Sequence, residues 1–182
     1  MRCKGSDFLS ITLSENITKS QKIRYLSILI KINLTYDMND MPGEWWTAPT
    51  ESESGRLIMV TGRDDVDKFR DNPRFNIRVE VSWKYDGDAS GMPGADDAAM
   101  MEAVTDRLAE TLRKDPVAVM TGIYTGDDRR DWIFYTLSVH IFGRKLNEAL
   151  ADLPLLSLTV YTENDPDWDE YAEMSQARID VS

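Results

Sequence analysis

The chain has 182 residues, 42% hydrophobic and 29% charged, which is room for one ordinary domain or one domain with an appendage. Its 32 acidic against 21 basic residues give a net charge of −11, which opposes any general coating of nucleic acid. One Cys and one His exclude an internal disulfide and a Cys/His zinc site, and leave His140 as the sole histidine for any catalytic triad.

Residues 1–40 carry six basic groups against four acids, a net of +2 that leaves −13 for residues 41–182. They lack Trp, Val and Ala, and the composition shifts at Met38–Pro42. A secretory signal needs an unbroken apolar stretch and a small-residue cleavage site. The best run here, Tyr25–Leu34, contains Lys31 and is too short to span a bilayer. Ser20 could instead cap an extra helix with Ile23, Leu26, Ile30 and Leu34 on one face. The composition break favours a third reading, in which translation begins at Met38 or Met41. The expectation is therefore an N-terminal extension, 1–40, that is disordered or untranslated, and a single α+β domain over 41–182.

Leu57–Val60 is a short apolar run between Gly55 and Gly62 and reads as a strand. Gly62–Pro73 is a charged connector with one helical turn around Val66 and Phe69. In the next strand Phe75, Ile77, Val79, Val81, Trp83 and Tyr85 alternate with Asn76, Arg78, Glu80, Ser82 and Lys84, so one face is buried and the other wet. Asp86–Gly94 is a loop by its glycines and Pro93. Asp96 or Asp97 caps a helix to about Lys114, with Met101, Val104, Leu108 and Leu112 as its apolar stripe. After Pro116 comes a strand, Val117–Thr125, then a hairpin loop, Gly126–Arg130. Trp132–Val139 is apolar or aromatic on both faces and predicts an interior strand. A second helix follows over His140–Ala151, with Phe142, Leu146, Ala149, Leu150 and Leu153 inward. Leu155–Thr162 is the last strand. Asp165-Pro166-Asp167 opens a short terminal helix, with an acid at the cap and proline at the first helical position.

The middle six elements spell β-α-β-β-α-β, a ferredoxin-like two-layer sandwich with an extra N-terminal strand and a short C-terminal helix. That topology sets strands 75–85 and 132–139 side by side. The edge joined by the strand 57–61 is left open.

With the elements placed, four stretches resemble a known family. They are Glu44-Trp45-Trp46, Val119-Met120-Thr121-Gly122-Ile123-Tyr124-Thr125-Gly126-Asp127, Arg130-Asp131-Trp132-Ile133-Phe134-Tyr135, and Tyr161 through Tyr171 with its Asp165-Pro166-Asp167-Trp168 core. Together they are similar to the bacterial "domain of unknown function 695" family, over about residues 44–172. The family carries no activity to transfer. It is also loosely similar to the type B regulators of ribonuclease E activity, which implies a small acidic protein acting by protein–protein contact.

Several residues invite a functional reading. Asp165, Asp167 and Asp169 have the spacing of the first three ligands of a calcium loop, but Glu170 and Gln176 stand where Gly and Glu are needed. No metal or other cofactor is expected. Trp168 and Tyr171 share a helix face that either docks on the sheet or anchors a partner. In Trp45-Trp46, adjacent residues of an extended segment point opposite ways, so one packs while the other is free. Trp132 and Phe134 face one side of their strand, Ile133 and Tyr135 the other. The side away from the helices is where RNA-recognition folds stack bases, but here Arg78 and Lys84 meet Glu80 in an acidic domain. Cover by the chain termini or by a second subunit is expected instead. Ser138 and His140 are too close in sequence for a dyad. Arg129-Arg130, with Arg144-Lys145, is the one basic concentration.

The favoured function is a cytoplasmic, non-enzymatic binding or regulatory domain. Its partner is a protein or a second copy of the chain, with no nucleic acid and no membrane. The residues taken as its binding surface are Trp45, Trp46, Arg129, Arg130, Trp132, Tyr161, Glu163, Trp168 and Tyr171. The alternative is a carboxylate hydrolase or transferase, Mg²⁺-assisted, drawing on Glu163, Asp165 and Asp127.

Overall fold

The computed structural model describes residues 43–179, so the expected extension over 1–40 lies outside the described residues. The elements are β1 Trp45–Glu51, β2 Leu57–Arg63, a one-turn helix α1 Asp67–Arg70, β3 Ile77–Lys84, α2 Ala95–Lys114, β4 Ala118–Gly126, β5 Arg129–Thr136, α3 Val139–Leu150, β6 Leu158–Asn164 and α4 Asp169–Ile179. The strands form one antiparallel sheet in the order β1-β2-β4-β5-β3-β6. The architecture is thus α+β, and β3 lies beside β5, as the expected topology requires.

The strand with the open edge, β2, pairs with β4 on one side and with β1 on the other. β1 was not expected. Its Pro49 lacks an N–H and breaks the alternation that marks strands, but β1 is an edge strand, where proline is tolerated. The β4–β5 hairpin turns on two residues, Asp127 and Asp128, both left-handed at φ 52° and 62°. That is the backbone of a type I′ turn, and Asp tolerates it better than most side chains.

The sheet carries a layer on each face. On one, Val79, Val81, Met120, Ile123, Trp132 and Phe134 pack against Met101, Val104, Leu108 and Leu112 of α2 and Phe142, Leu146 and Ala149 of α3. Both predicted apolar stripes therefore face the sheet. Thr105 of α2 is buried among them and accepts from Trp132 Nε1 at 2.8 Å and from Arg130 Nη2 at 3.3 Å. The N-cap of α2 is Gly94, without a side-chain cap bond. Asp96 and Asp97, expected at the cap, sit inside the first turn, where they still complement the dipole.

The opposite face is partly covered by α4. Met174 packs on Val60 and Ile133, and Trp168 packs with Val66, Phe75, Val119 and Tyr135. The Trp168 and Tyr135 rings stack at 3.9 Å, 5° from parallel, and Trp168 Nε1 donates to the Phe75 carbonyl at 2.8 Å. Close approach is permitted by two strand glycines. A Cβ at Gly122 would lie 2.1 Å from Met174 Sδ, and one at Gly62 would lie 2.2 Å from the Trp46 ring. The terminal helix starts later than expected, at Asp169 rather than at Pro166. Trp168 takes φ 60°, which turns the chain before the helix begins. Asp165 still caps it, accepting from the N–H groups of Asp169 at 2.9 Å and Glu170 at 3.3 Å.

Candidate functional site

α4 leaves part of its face of the sheet uncovered. There a groove of about 950 Å³ runs between α4 and the two turns at the far ends of β1–β2 and β4–β5. Each bordering element contributes carboxylates. α4 gives Glu170 and Glu173, the β1–β2 end gives Glu51 and Glu53, β3 gives Glu80, the hairpin turn gives Asp127 and Asp128, and β5 gives Asp131. Lys84 and Arg129 are the cations on this lining. The groove is acidic because period-2 alternation sends Glu80 and Asp131 to the same face, away from Val79, Val81 and Trp132.

Asp131 is the buried member, 4% exposed. Its Oδ2 accepts from Arg129 Nε at 2.7 Å, while Oδ1 has no hydrogen-bond donor within 3.5 Å among the described residues. Burial pushes the Asp131 carboxyl above the usual carboxylate range against the pull of the neighbouring Ser82 hydroxyl and of Arg129, and nearby Glu80 adds to the rise. On the α4 side, Glu170 binds Arg78 and accepts from the Tyr124 hydroxyl at 2.8 Å. Burial, then Glu170, pushes the Tyr124 phenol up, so Tyr124 stays a neutral donor. At the hairpin, Arg56 binds both Asp127 and Asp128. The loop before α2 folds onto the same turn, with the Asp128 N–H donating to the Gly91 carbonyl at 3.0 Å.

The residues expected to form a binding surface do not gather in one place. Trp132 is fully buried beneath α2 and α3, and Arg130 is 8% exposed beside Thr105. Trp168 is core, and Tyr171 donates its hydroxyl to the Arg63 carbonyl at 2.8 Å, so the α4 aromatics dock on their own sheet. Trp45 and Trp46 do point opposite ways, but both pack: Trp45 against the α2–α3 core, Trp46 against the Met174 cluster. Tyr161 and Glu163 are exposed on β6, flanking Arg78, which Glu163 binds at 2.9 Å. Arg129 alone of the nine lines the groove.

The three carboxylates of the enzyme reading are likewise dispersed. Asp165 caps α4 and accepts from the Tyr135 hydroxyl at 2.5 Å; burial works against its ionisation, but these hydrogen bonds win and hold it below the usual range. Glu163 is on β6, and only Asp127 lines the groove. Among the described residues, no group of three or more His, Cys, Asp or Glu side chains is placed to hold a metal ion. His140 is exposed, and Ser138 caps α3 through the Ile141 N–H at 3.5 Å. Lys145 pairs with Asp115 and Glu148 and Arg130 is buried beside Thr105, so two of the four expected basic residues are engaged within the fold.

Of the groove residues, Glu51, Glu53, Asp131 and Glu173 carry no site reading in the sequence, while Glu80 and Glu170 enter it only beside Arg78 and Lys84 and as a mismatch to the calcium loop. One local signal existed: an aspartate, Asp131, inside a strand otherwise buried on both faces. The others converge only through the sheet order. No helix among the described residues is long and apolar enough to cross a membrane. No curated protein and no solved structure matches the chain. The model of a family of unknown function, DUF695, does match, over residues 44–174 with all six strands and the start of α4, and the chain belongs to that family.

Proposed function

We propose that this domain is a non-enzymatic binding or regulatory module acting through protein–protein contacts, with the acidic groove beside α4 as its recognition surface. The observation that carries the reading is a lining of eight carboxylates, of which Arg56, Arg78 and Arg129 engage Asp127, Asp128, Glu170 and Asp131, leaving Glu51, Glu53, Glu80 and Glu173 for a partner. Such a surface repels nucleic acid and speeds encounter with a basic protein segment. A cytoplasmic setting, and the looser likeness to protein-binding regulators, belong to the same reading. The carboxylate-enzyme alternative loses support because Glu163 and Asp165 are engaged in structural bonds away from the groove.

The test is a titration of the full chain with fluorescein-labelled oligolysine, oligoglutamate and a single-stranded oligonucleotide. Oligolysine alone should bind, less tightly as salt rises. The triple variant Glu51→Gln/Glu53→Gln/Glu173→Gln should weaken it about tenfold, from three exposed charges at about 0.5 kcal/mol each. Equal binding of the oligonucleotide, or no loss in the triple variant, defeats the reading.

A further inference from the structure

At the other end of β1 and β2 from the acidic groove lies a second cavity, of about 390 Å³, between the last turns of α2 and the start of β1. It falls within the usual volume of small-molecule sites, about 300–1,000 Å³. Its walls are apolar, from Trp45, Phe69 and Leu112, and its charge is opposite to that of the rest of the chain. Arg63, Lys68 and Arg113 line it against one carboxylate, Asp65. Arg63 already neutralises Asp65 through two bonds, Nε to Oδ1 at 2.5 Å and Nη2 to Oδ2 at 2.8 Å. Lys68 and Arg113, both exposed, leave the cavity positive. The partial negative charge at the end of α2 is offset by Arg113 and Lys114.

The aromatic and cationic groups also sit together, with Arg63 Cζ 5.8 Å from the Trp45 ring centre and Lys68 Nζ 4.9 Å from that of Phe69.

The geometry points to a binding site for a small organic anion, a carboxylate on a flat apolar body. The body packs among Trp45, Phe69 and Leu112. The carboxylate meets Lys68 and Arg113 at the cavity's edge. A cation of the same shape would meet like charges, and a bare inorganic anion would leave the apolar walls unfilled. This site stands on different residues from the acidic groove, so either can fail without the other.

The experiment uses the ¹⁵N-labelled full chain and its five indole N–H resonances, with Trp45→Phe assigning that of Trp45. The probes are benzoate, benzamide, benzylamine and inorganic phosphate. Benzoate should shift the Trp45 resonance saturably, because its ring packs against the indole. The Lys68→Gln/Arg113→Gln variant, altered only at exposed side chains, should raise the benzoate Kd at least tenfold. The other three probes should leave the resonance in place at the same concentrations. No shift with benzoate, an equal shift with any of the other three, or an unchanged Kd in the double variant would each overturn the assignment.

Discussion

Trp168 tests how α4 is attached. The side chain is 2% exposed, lies flat on Tyr135, and gives its N–H to the Phe75 carbonyl. Truncating a buried tryptophan to alanine costs about 3–5 kcal/mol. The Phe75 carbonyl also loses its donor, which places Trp168→Ala near the top of that range, at about 4–5 kcal/mol. Against a domain stability of about 5–15 kcal/mol, that loss is large enough to see directly. The backbone adds a second, less ordinary expectation. Trp168 has φ 60°, where a Cβ costs about 1–2 kcal/mol and glycine none. Trp168→Gly should therefore be about 1 kcal/mol more stable than Trp168→Ala, the reverse of the order in a helix interior. Urea unfolding followed by far-ultraviolet circular dichroism measures both, because it does not depend on the tryptophan being removed. A loss below about 1 kcal/mol in Trp168→Ala would mean that α4 is not held by this stack. A glycine variant less stable than the alanine variant would refute the left-handed turn.

Gly122→Ala places a Cβ 2.1 Å from Met174 Sδ and 3.1 Å from the Thr61 carbonyl oxygen. It should cost about 1–3 kcal/mol, part of it recovered by Met174→Ala in a double-mutant cycle. Thr105→Val keeps the volume but removes the acceptor of Trp132 Nε1; a loss of about 1–3 kcal/mol is expected, and Thr105→Ser should restore most of it in the same unfolding assay. The Asp165 carboxyl is held below the ordinary value of 3.8, so its contribution is complete above that value and is lost as pH falls through the folded pKa. Thermal unfolding of Asp165→Asn against pH should show a weaker acid decline than the parent chain. Asp131 is shifted the other way, so its ionisation costs stability as pH rises through its raised pKa, and Asp131→Asn should flatten that slope without lowering the melting temperature at pH 7.

Much of the fold was legible because it rests on local periodicity. The alternation from Val79 to Tyr85 fixed which side of β3 is buried, although Phe75, just ahead of the strand, packs with Trp168 instead, and the stripe Met101, Val104, Leu108, Leu112 fixed the inner face of α2. β1 escaped because Pro49 hides an edge strand, and an edge strand has no second partner to impose a pattern. The terminal helix was misplaced by three residues because the Asp-Pro signal marks a cap but not the left-handed turn at Trp168. The candidate site was the least legible. Conspicuous aromatics drew the functional reading, yet Trp132 and Trp168 are core, since a ring of that size is more often buried than displayed.

The sequence by itself determined the elements other than β1, most of their buried faces and the net charge, because periodicity and composition are local or summed properties. It also placed the chain with its family, through short stretches that turn out to be strand β4, strand β5 and the α4 cap. Only the tertiary structure decided where the acids meet. Glu53, Glu80, Asp131 and Glu173 are 27, 51 and 42 residues apart in turn. They share one groove because β3 pairs with β5 and α4 folds back over Gly122. Pairing over such separations is set by sheet order and packing, which no local spacing encodes.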